Sequence, residues 1–548
     1  MALLMDWAPA SIIQRLFDLK YGASDRLIPR WLFLRALGVI YFSAFYSLLF
    51  QIRGLIAPEG ILPASEFLEA VAKTYPQSKF WFAPTLLWIA SGPHMLTAIC
   101  WVGMFASLLL VFNLWPRASL VVCFVCYLSF VSAAGDFSGY QSDGMLLEAG
   151  FIAFFFAPPG LRPGWAESHP PSRMSLFLLL WEWFRIYFES GAIKLLSGDP
   201  EWRNFTAMDE YYQNGPLPTW IGWYVQHLPH WFHASAVFFT LATELVLVWM
   251  MFLPRRFRIL CFAIVTALQI SIILTANYTF LNYLVLSLGV LLLDDRFLLP
   301  FLSKRWRETL SPKTAPTPNE PVPQASEPAT PAEIVARTAK RRHAAAMKLA
   351  LTSVVLVWIF YATTAQMLWM FFPRLPLPTS PVVALEPFRI ANRYGLFAVM
   401  TRGRYEIEFQ GSNDGQGWTA YPFRYKPQAL NQPPGIYAPY QPRLDWNLWF
   451  ASLGFWREYP IVISTEERLL AGNKDVLALF AGNPFSSAPP RQVRAVLWQY
   501  WFTSIAEKRA TGDWWKRKYL GIYAPVLGLQ PDGKLGVVEW PTPLPPRQ

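Results

Sequence analysis

The sequence predicts a polytopic α-helical membrane bundle of about nine spans, followed by a C-terminal extramembrane domain that is β-rich and mixed α/β. Three observations predict it. The 548 residues are 54% hydrophobic and only 15% charged, against about 25% charged in soluble domains. Apolar runs recur that match a hydrocarbon core about 30 Å thick, which needs about 20 residues at helical rise. Beyond residue 373 the long runs stop and period-two alternation takes over.

The predicted spans are 31–52, 94–113, 118–134, 143–158, 174–195, 232–253, 259–275, 280–293 and 348–372, the fourth and eighth being short. No cleavable signal peptide is expected, because Asp6, Pro9, Asp18, Lys20 and Asp25 interrupt the first 30 residues, so the first span is the insertion signal. Lys and Arg of short loops stay cytoplasmic. Arg15, Lys20, Arg26 and Arg30, then Arg117, then Arg162 and Arg173, then Arg255, Arg256 and Arg258 mark alternate sides of the chain as cytoplasmic. The loop 294–347 adds Arg296, Lys304, Arg305, Arg307, Lys340, Arg341 and Arg342. An odd span count then puts residues 1–30 in the cytoplasm and residues 373–548 on the exported side, and adding or dropping one short span reverses that. The net charge of +11 sits in these loops, where topology and anionic lipid explain it. No nucleic-acid partner is expected.

Residues 311–333 hold seven prolines among Ser, Thr, Glu and Gln and read as an extended cytoplasmic linker between the bundle (31–310) and a basic helix with the last span (334–372). Thr330-Pro331-Ala332-Glu333 has the form of a helix start. In the C-terminal domain, Tyr405 to Phe409 alternates as a strand and Gly411 to Gly415 supplies a turn. Val493 to Phe502 alternates again, and Glu466 to Phe480 has helical spacing.

Ionisable groups inside spans cost about 2.5–3.5 kcal/mol each on insertion scales and need a partner or a purpose. Seven stand out as an intramembrane polar seam: Arg35, Glu148, Glu182, Arg185, Glu189, Lys194 and Glu244. Offsets of three and four place Glu182, Arg185 and Glu189 on one helix face. The seam fixes helix packing, with Arg35 and Glu244 as cross-helix partners, or lines a substrate or proton path, with Lys194 and Glu148 snorkelling as a third reading.

His227, His230 and His233 lie within seven residues, but Pro229 interrupts them and Trp220, Trp223 and Trp231 surround them as in an aromatic belt, so no metal is expected. Cys123 and Cys126 have redox-pair spacing yet lie mid-span with no βαβ context, and Cys100 and Cys261 are intramembrane too; no redox role and no disulfide is expected. Nucleophile-elbow, zinc-helix, Walker and Rossmann motifs are absent, and no cofactor or catalytic residue is predicted. Asn204-Phe-Thr206 and Asn277-Tyr-Thr279 match the glycosylation sequon. In the C-terminal domain Arg443 to Phe450, Trp498, Trp501, Trp514 and Trp515 are either a tryptophan-rich core, a surface resting on the bilayer, or an interface of the kind that Trp and Arg anchor. On the last reading Arg443, Asp445, Trp446 and Trp449 contact a client protein.

Several stretches resemble the lipase maturation factor family over nearly the whole chain: Lys194 to Trp202, Pro216-Leu-Pro218, Asn392 to Phe397, Ile407 to Gly415, Phe423 to Pro427, and Ala438 to Trp446 with Trp449-Phe450. The resemblance implies a membrane protein that assists folding or assembly of exported lipases or other secreted enzymes, in the endoplasmic reticulum in animals, with the C-terminal domain engaging the client. Short loops and sparse sequons resemble a bacterial member, in an inner membrane with the domain outside. Ala57 to Pro63 is similar to the membrane region of vitamin K-dependent carboxylases, and Gly411 to Trp418 to a discoidin-like jelly roll. The first of these implies the alternative function, a membrane-embedded enzyme acting on a lipid or quinone with Lys194 or His227 as base. The principal expectation is a non-enzymatic folding factor.

Overall fold

A computed structural model of the chain describes residues 9–310, 331–530, 534–545 and 547. Among the described residues, five helices are long and apolar enough to cross a membrane: α1 (Leu27–Leu49), α2 (Pro93–Val111), His230–Phe252, Arg255–Thr275 and His343–Phe371. Between them run α3 (Pro116–Val131), α4 (Gln141–Phe156), α5 (Arg173–Leu196), α6 (His230–Leu245, carried on by a 3-10 turn to Phe252), α7 (Arg255–Thr275) and α8 (Leu281–Gly289). Helix α9 (Pro331–Phe371) contains the last candidate span. The core of α5 has the length of a span but four buried ionisable groups, which removes it from a count made on apolarity alone. The N-cap Thr330 and nearly all of the 311–333 linker lie outside the described residues.

The basic residues meant to mark one side do gather at one end of the bundle, but Arg26 and Arg30 are buried and others are paired. The Arg30 guanidinium donates to the carbonyls of His169 and Trp165 at 2.6 Å, Arg26 donates to Leu291 O at 3.0 Å, and Arg255 pairs with Asp294 at 2.5 Å. Asp295 caps α1 by accepting the amides of Leu27 and Ile28 at 3.1 and 2.8 Å, where a carboxylate also complements the helix dipole. Trp31, Trp165 and Trp306 pack together beside them. The loops before α1, between α4 and α5, and after α8 therefore share one end.

The opposite end carries the C-terminal domain, whose six strands form one antiparallel sheet: β1 (Arg404–Ser412), β2 (Thr419–Ala420), β3 (Gln492–Phe502), β4 (Trp515–Ile522), β5 (Val526–Leu529) and β6 (Leu535–Glu539), in the order β2-β1-β3-β5-β6 with β4 also on β3. The expected β1 and β3 form and pair along the length of β1, with Ile407 opposite Leu497, but β1 is buried on both faces rather than alternately. A two-sheet jelly roll is not formed among the described residues. Ser412 and Asp414 do make the predicted turn, the Asp414 carboxylate accepting the amides of Gln416 and Gly417 at 2.9 and 2.8 Å. The predicted 466–480 helix is displaced: α11 (Pro460–Leu470), following α10 (Arg443–Leu453), stops at Gly472 (φ +64°), and a short turn of helix resumes at Lys474.

Candidate functional site

Among the buried polar contacts through which the bundle and the C-terminal domain meet, three clusters are built around Arg185, Lys194 and Arg443. In the first, α5 and α4 present Glu182, Arg185, Glu189 and Glu148, and residues 390–400 of the C-terminal part are laid into them. Arg185 pairs with Glu148, lies 4.0 Å from Glu189, and donates to the Asn392 carbonyl at 2.7 Å. Glu148 accepts the Asn392 amide at 2.9 Å and the Tyr394 hydroxyl at 2.9 Å, while Glu189 accepts the Tyr394 amide at 2.7 Å. The Arg185 guanidinium stacks 5.1 Å above the Tyr394 ring. Gly144 lets the Asn392 side chain approach and accepts its amide at 3.0 Å.

The second cluster is Lys194 of α5 with Glu244 of α6, at 2.9 and 2.7 Å. Lys194 also lies 5.0 Å from the Trp202 ring centre. Trp202 Nε1 donates to Phe397 O at 3.0 Å, and Asp199 accepts the Met400 amide at 2.6 Å. The third is centred on Arg443 at the start of α10. It grips Asp143 of α4 bidentately at 2.8 and 2.9 Å, donates to the Tyr127 hydroxyl at 3.1 Å and to Gln441 Oε1 at 2.8 Å, and bonds Phe137 O. Gln51 at the end of α1 accepts the Arg443 amide at 2.8 Å and donates to Gln441 O at 2.9 Å.

Three expectations are corrected by this geometry. Arg35 is no seam partner: it donates to the carbonyls of Val111 and Trp31 and stacks on Trp31, with no carboxylate partner among the described residues. Lys194 and Glu148 do not snorkel, being about 1% exposed and paired inside. Arg443, Asp445, Trp446 and Trp449 are 0 to 8% exposed and form no client-facing surface. Trp446 packs on Tyr140, Trp449 Nε1 donates to Asn214 O at 3.0 Å, and Asp445 accepts the amides of Tyr425 and Lys426 at 3.3 and 3.1 Å. Burial pushes the Asp445 carboxyl up to about 6 despite these amides and the nearby Lys426.

Asn277, a sequon asparagine, is buried with its amide committed: its nitrogen donates to Leu217 O at 3.1 Å and Gly435 O at 2.9 Å, and its oxygen accepts the amides of Tyr437 and Ala438 at 2.6 and 3.0 Å. It is a link of the joint, and a glycan does not fit the folded site. Asn204 is exposed.

The three histidines diverge. His227 has its ring nitrogens against the backbone carbonyls of Trp223 (2.7 Å) and Thr503 (3.0 Å), so both are covered by the chain. His230 meets Asp209 at 3.0 Å at the surface. His233 is buried against the Tyr212 ring with no hydrogen-bond partner for either nitrogen. Among the described residues no cluster of three or more His, Cys, Asp or Glu side chains forms a metal-binding group. Cys123 and Cys126 are buried free thiols.

Sequence reading missed Asp143, Tyr127 and Gln51, and read Asn277 only as a sequon. The one available signal was Asp143, an acid at the mouth of a predicted span.

These clusters gather the stretches that carried the family resemblance. Lys194–Trp202 and Asn392–Phe397 face each other, Pro216–Pro218 supplies carbonyls to Arg404 and Asn277, and the stretch ending in Arg443–Trp446 closes the third cluster. A family model described as the lipase maturation factor transmembrane domain matches residues 28–300, and one described as the lipase maturation factor C-terminal domain matches residues 390–525. The chain belongs to the lipase maturation factor family. It is 32% identical to lipase maturation factor 2 of Gallus gallus over 91% of this chain and 81% of that protein. The same protein of Homo sapiens is 32% identical over 92% and 83%. Lipase maturation factor 1 of Bos taurus is 30% identical over 94% and 92%. These relatives are vertebrate and lend no support to a bacterial host. No solved structure matches the chain. The lipase maturation factor C-terminal domain is thus bolted to its membrane bundle at several buried points rather than tethered by a single strand of chain.

Proposed function

We propose that this chain is a membrane-anchored maturation factor for exported proteins, with lipases as clients, and that the β5–β6 arm of the C-terminal domain holds the client. The relatives' names support the lipase client. The arm carries the rest of the reading. β6 pairs only with β5 among the described residues, so it is an edge strand. Leu529, Leu535, Val538 and Trp540 along it are all exposed, Trp540 at 61%. An unguarded apolar edge is a liability that folded proteins suppress unless they use it, and an extended, unfinished client segment can add to it as a further strand. The nine-span topology, with residues 31–310 as bundle and 373–548 as a domain exported into the lumen of the endoplasmic reticulum, belongs to the same proposal.

The embedded-enzyme alternative gains nothing from the site, since Lys194 is held by Glu244 and His227 by two carbonyls. The test is co-capture of a crosslinked lipase by the full-length protein and by a Val538→Lys, Trp540→Ser variant in cells lacking the endogenous factor, with secreted lipase activity read alongside. The variant should insert and melt as the parent does yet lose both client capture and secretion support. Unchanged capture and secretion would remove the arm from the mechanism.

A further inference from the structure

A cavity in the bundle lies away from the arm and abuts the second cluster of the joint. It has a volume of about 640 Å³, within the range of sites for small ligands, about 300–1,000 Å³. Its walls come from α6 and α7, with Ala236, Thr240, Ile264 and Leu268 among them. These two helices are thinly covered: only 28% and 17% of their most apolar stretches are buried. The lining residues Phe239 and Leu274 are themselves exposed, at 63% and 44%. The mouth therefore opens sideways, where a spanning helix pair faces hydrocarbon, and the molecules that reach it are bilayer components.

The inner end is polar and electrically balanced. The Lys194–Glu244 pair forms part of it, with Ser190 and Thr243 beside it. An ionised headgroup would bring an uncompensated charge into this low-dielectric end, at a cost of several kcal/mol. A hydroxyl can donate to a Glu244 oxygen, and a hydroxyl or ester oxygen can accept from Lys194, without disturbing the balance.

We propose that this cavity binds an uncharged acyl lipid of the acylglycerol class, its chain between α6 and α7 and its hydroxylated head at the Lys194–Glu244 pair. Leu396 and Phe397 of the segment laid into the joint close the floor, so the lipid rests against the piece of chain that connects bundle to C-terminal domain.

The experiment uses the full-length protein in phosphatidylcholine nanodiscs with a photoactivatable, clickable monoacylglycerol, and maps the adducts by mass spectrometry. Adducts should concentrate in residues 232–245 and 259–275, fall by about fivefold or more in an Ala236→Trp variant that fills the cavity, an effect of about 1 kcal/mol, and stay unchanged in a Leu108→Trp variant on a lipid-facing surface elsewhere. Thr240→Met fills the same space if Ala236→Trp lowers the melting temperature. Labelling spread evenly over lipid-facing helices, or indifferent to both filling variants, overturns the site. A photoactivatable fatty acid or quinone that labels these segments as strongly as the monoacylglycerol overturns the assignment of an uncharged acylglycerol.

Discussion

Replacing Arg443 by Met tests whether the third cluster holds the two parts of the molecule together. The side chain makes five donated bonds, two of them to Asp143, and the shape of Met fills most of its volume. What remains is Asp143, fully buried on α4, with only the Tyr127 hydroxyl at 2.6 Å to satisfy it. Stranding a buried charge in this way costs about 3–5 kcal/mol, most of it desolvation of the survivor. Closure of the C-terminal domain on the bundle should weaken by about 100-fold or more. Asp143→Leu combined with Arg443→Met removes both charges and should recover at least about 2 kcal/mol of that loss, a coupling beyond what independent sites show. Limited proteolysis of the segment around residues 430–442 in detergent, together with thermal unfolding, reads both states. A loss below about 1 kcal/mol for Arg443→Met, or a double variant as damaged as the sum of the singles, would refute the claim that this pair fastens the joint.

Asp445, with its carboxyl pushed up to about 6 mainly by burial, binds its proton more tightly folded than unfolded, where it titrates near 4. Its contribution is therefore present at acid pH and is lost as pH rises from about 4 through about 6. Asp445→Asn, which keeps the acceptor for the Tyr425 and Lys426 amides, should flatten the thermal stability profile across that window; an unaltered profile counts against the assignment. Gly150 of α4 leaves no room for a Cβ, which would overlap the Tyr41 hydroxyl. Gly150→Ala should cost about 1–3 kcal/mol and be rescued by Tyr41→Phe, and a thermally silent single variant would contradict that packing.

How much of this was legible follows the range of the interactions. Hydropathy located the helices because a span is specified by its own residues, and the alternation Tyr405, Ile407, Phe409 located β1 because all three point into the core. Spacing on α5 put Glu182, Arg185 and Glu189 on one face, which the fold keeps, but nothing local says that the face is met by Asn392 and Tyr394, over 200 residues later. Arg443 and Trp446 read equally well as an exposed hot spot and as an interior, since Trp and Arg serve both. Their burial is decided by Asp143, which lies 300 residues away. Arg35 was assigned a carboxylate it does not have, because backbone carbonyls that accept a guanidinium leave no trace in the sequence.

The joint changes what a truncation would mean. Deleting residues 384–548 looks like the direct test of a client-binding domain, but it also strips Asn392 and Tyr394 from Glu148 and Glu189, and Arg443 from Asp143. Three acids inside the bundle then lose partners together: Asp143 loses its cation, while Glu148 and Glu189 keep Arg185 but lose the donors of residues 392–394, and each buried carboxylate so depleted is destabilising in a low-dielectric interior. Lost secretion in such a variant would follow from a collapsed bundle as readily as from a missing client site. Substitutions on the exposed β5–β6 arm avoid this ambiguity, because Val538 and Trp540 reach neither the seam nor the Arg443 cluster. The separation runs the other way too: an Arg443→Met protein retains the arm but loosens the joint, so a loss of client capture there that the Arg443→Met, Asp143→Leu protein restores would mean that the arm must be held in a fixed relation to the membrane to work.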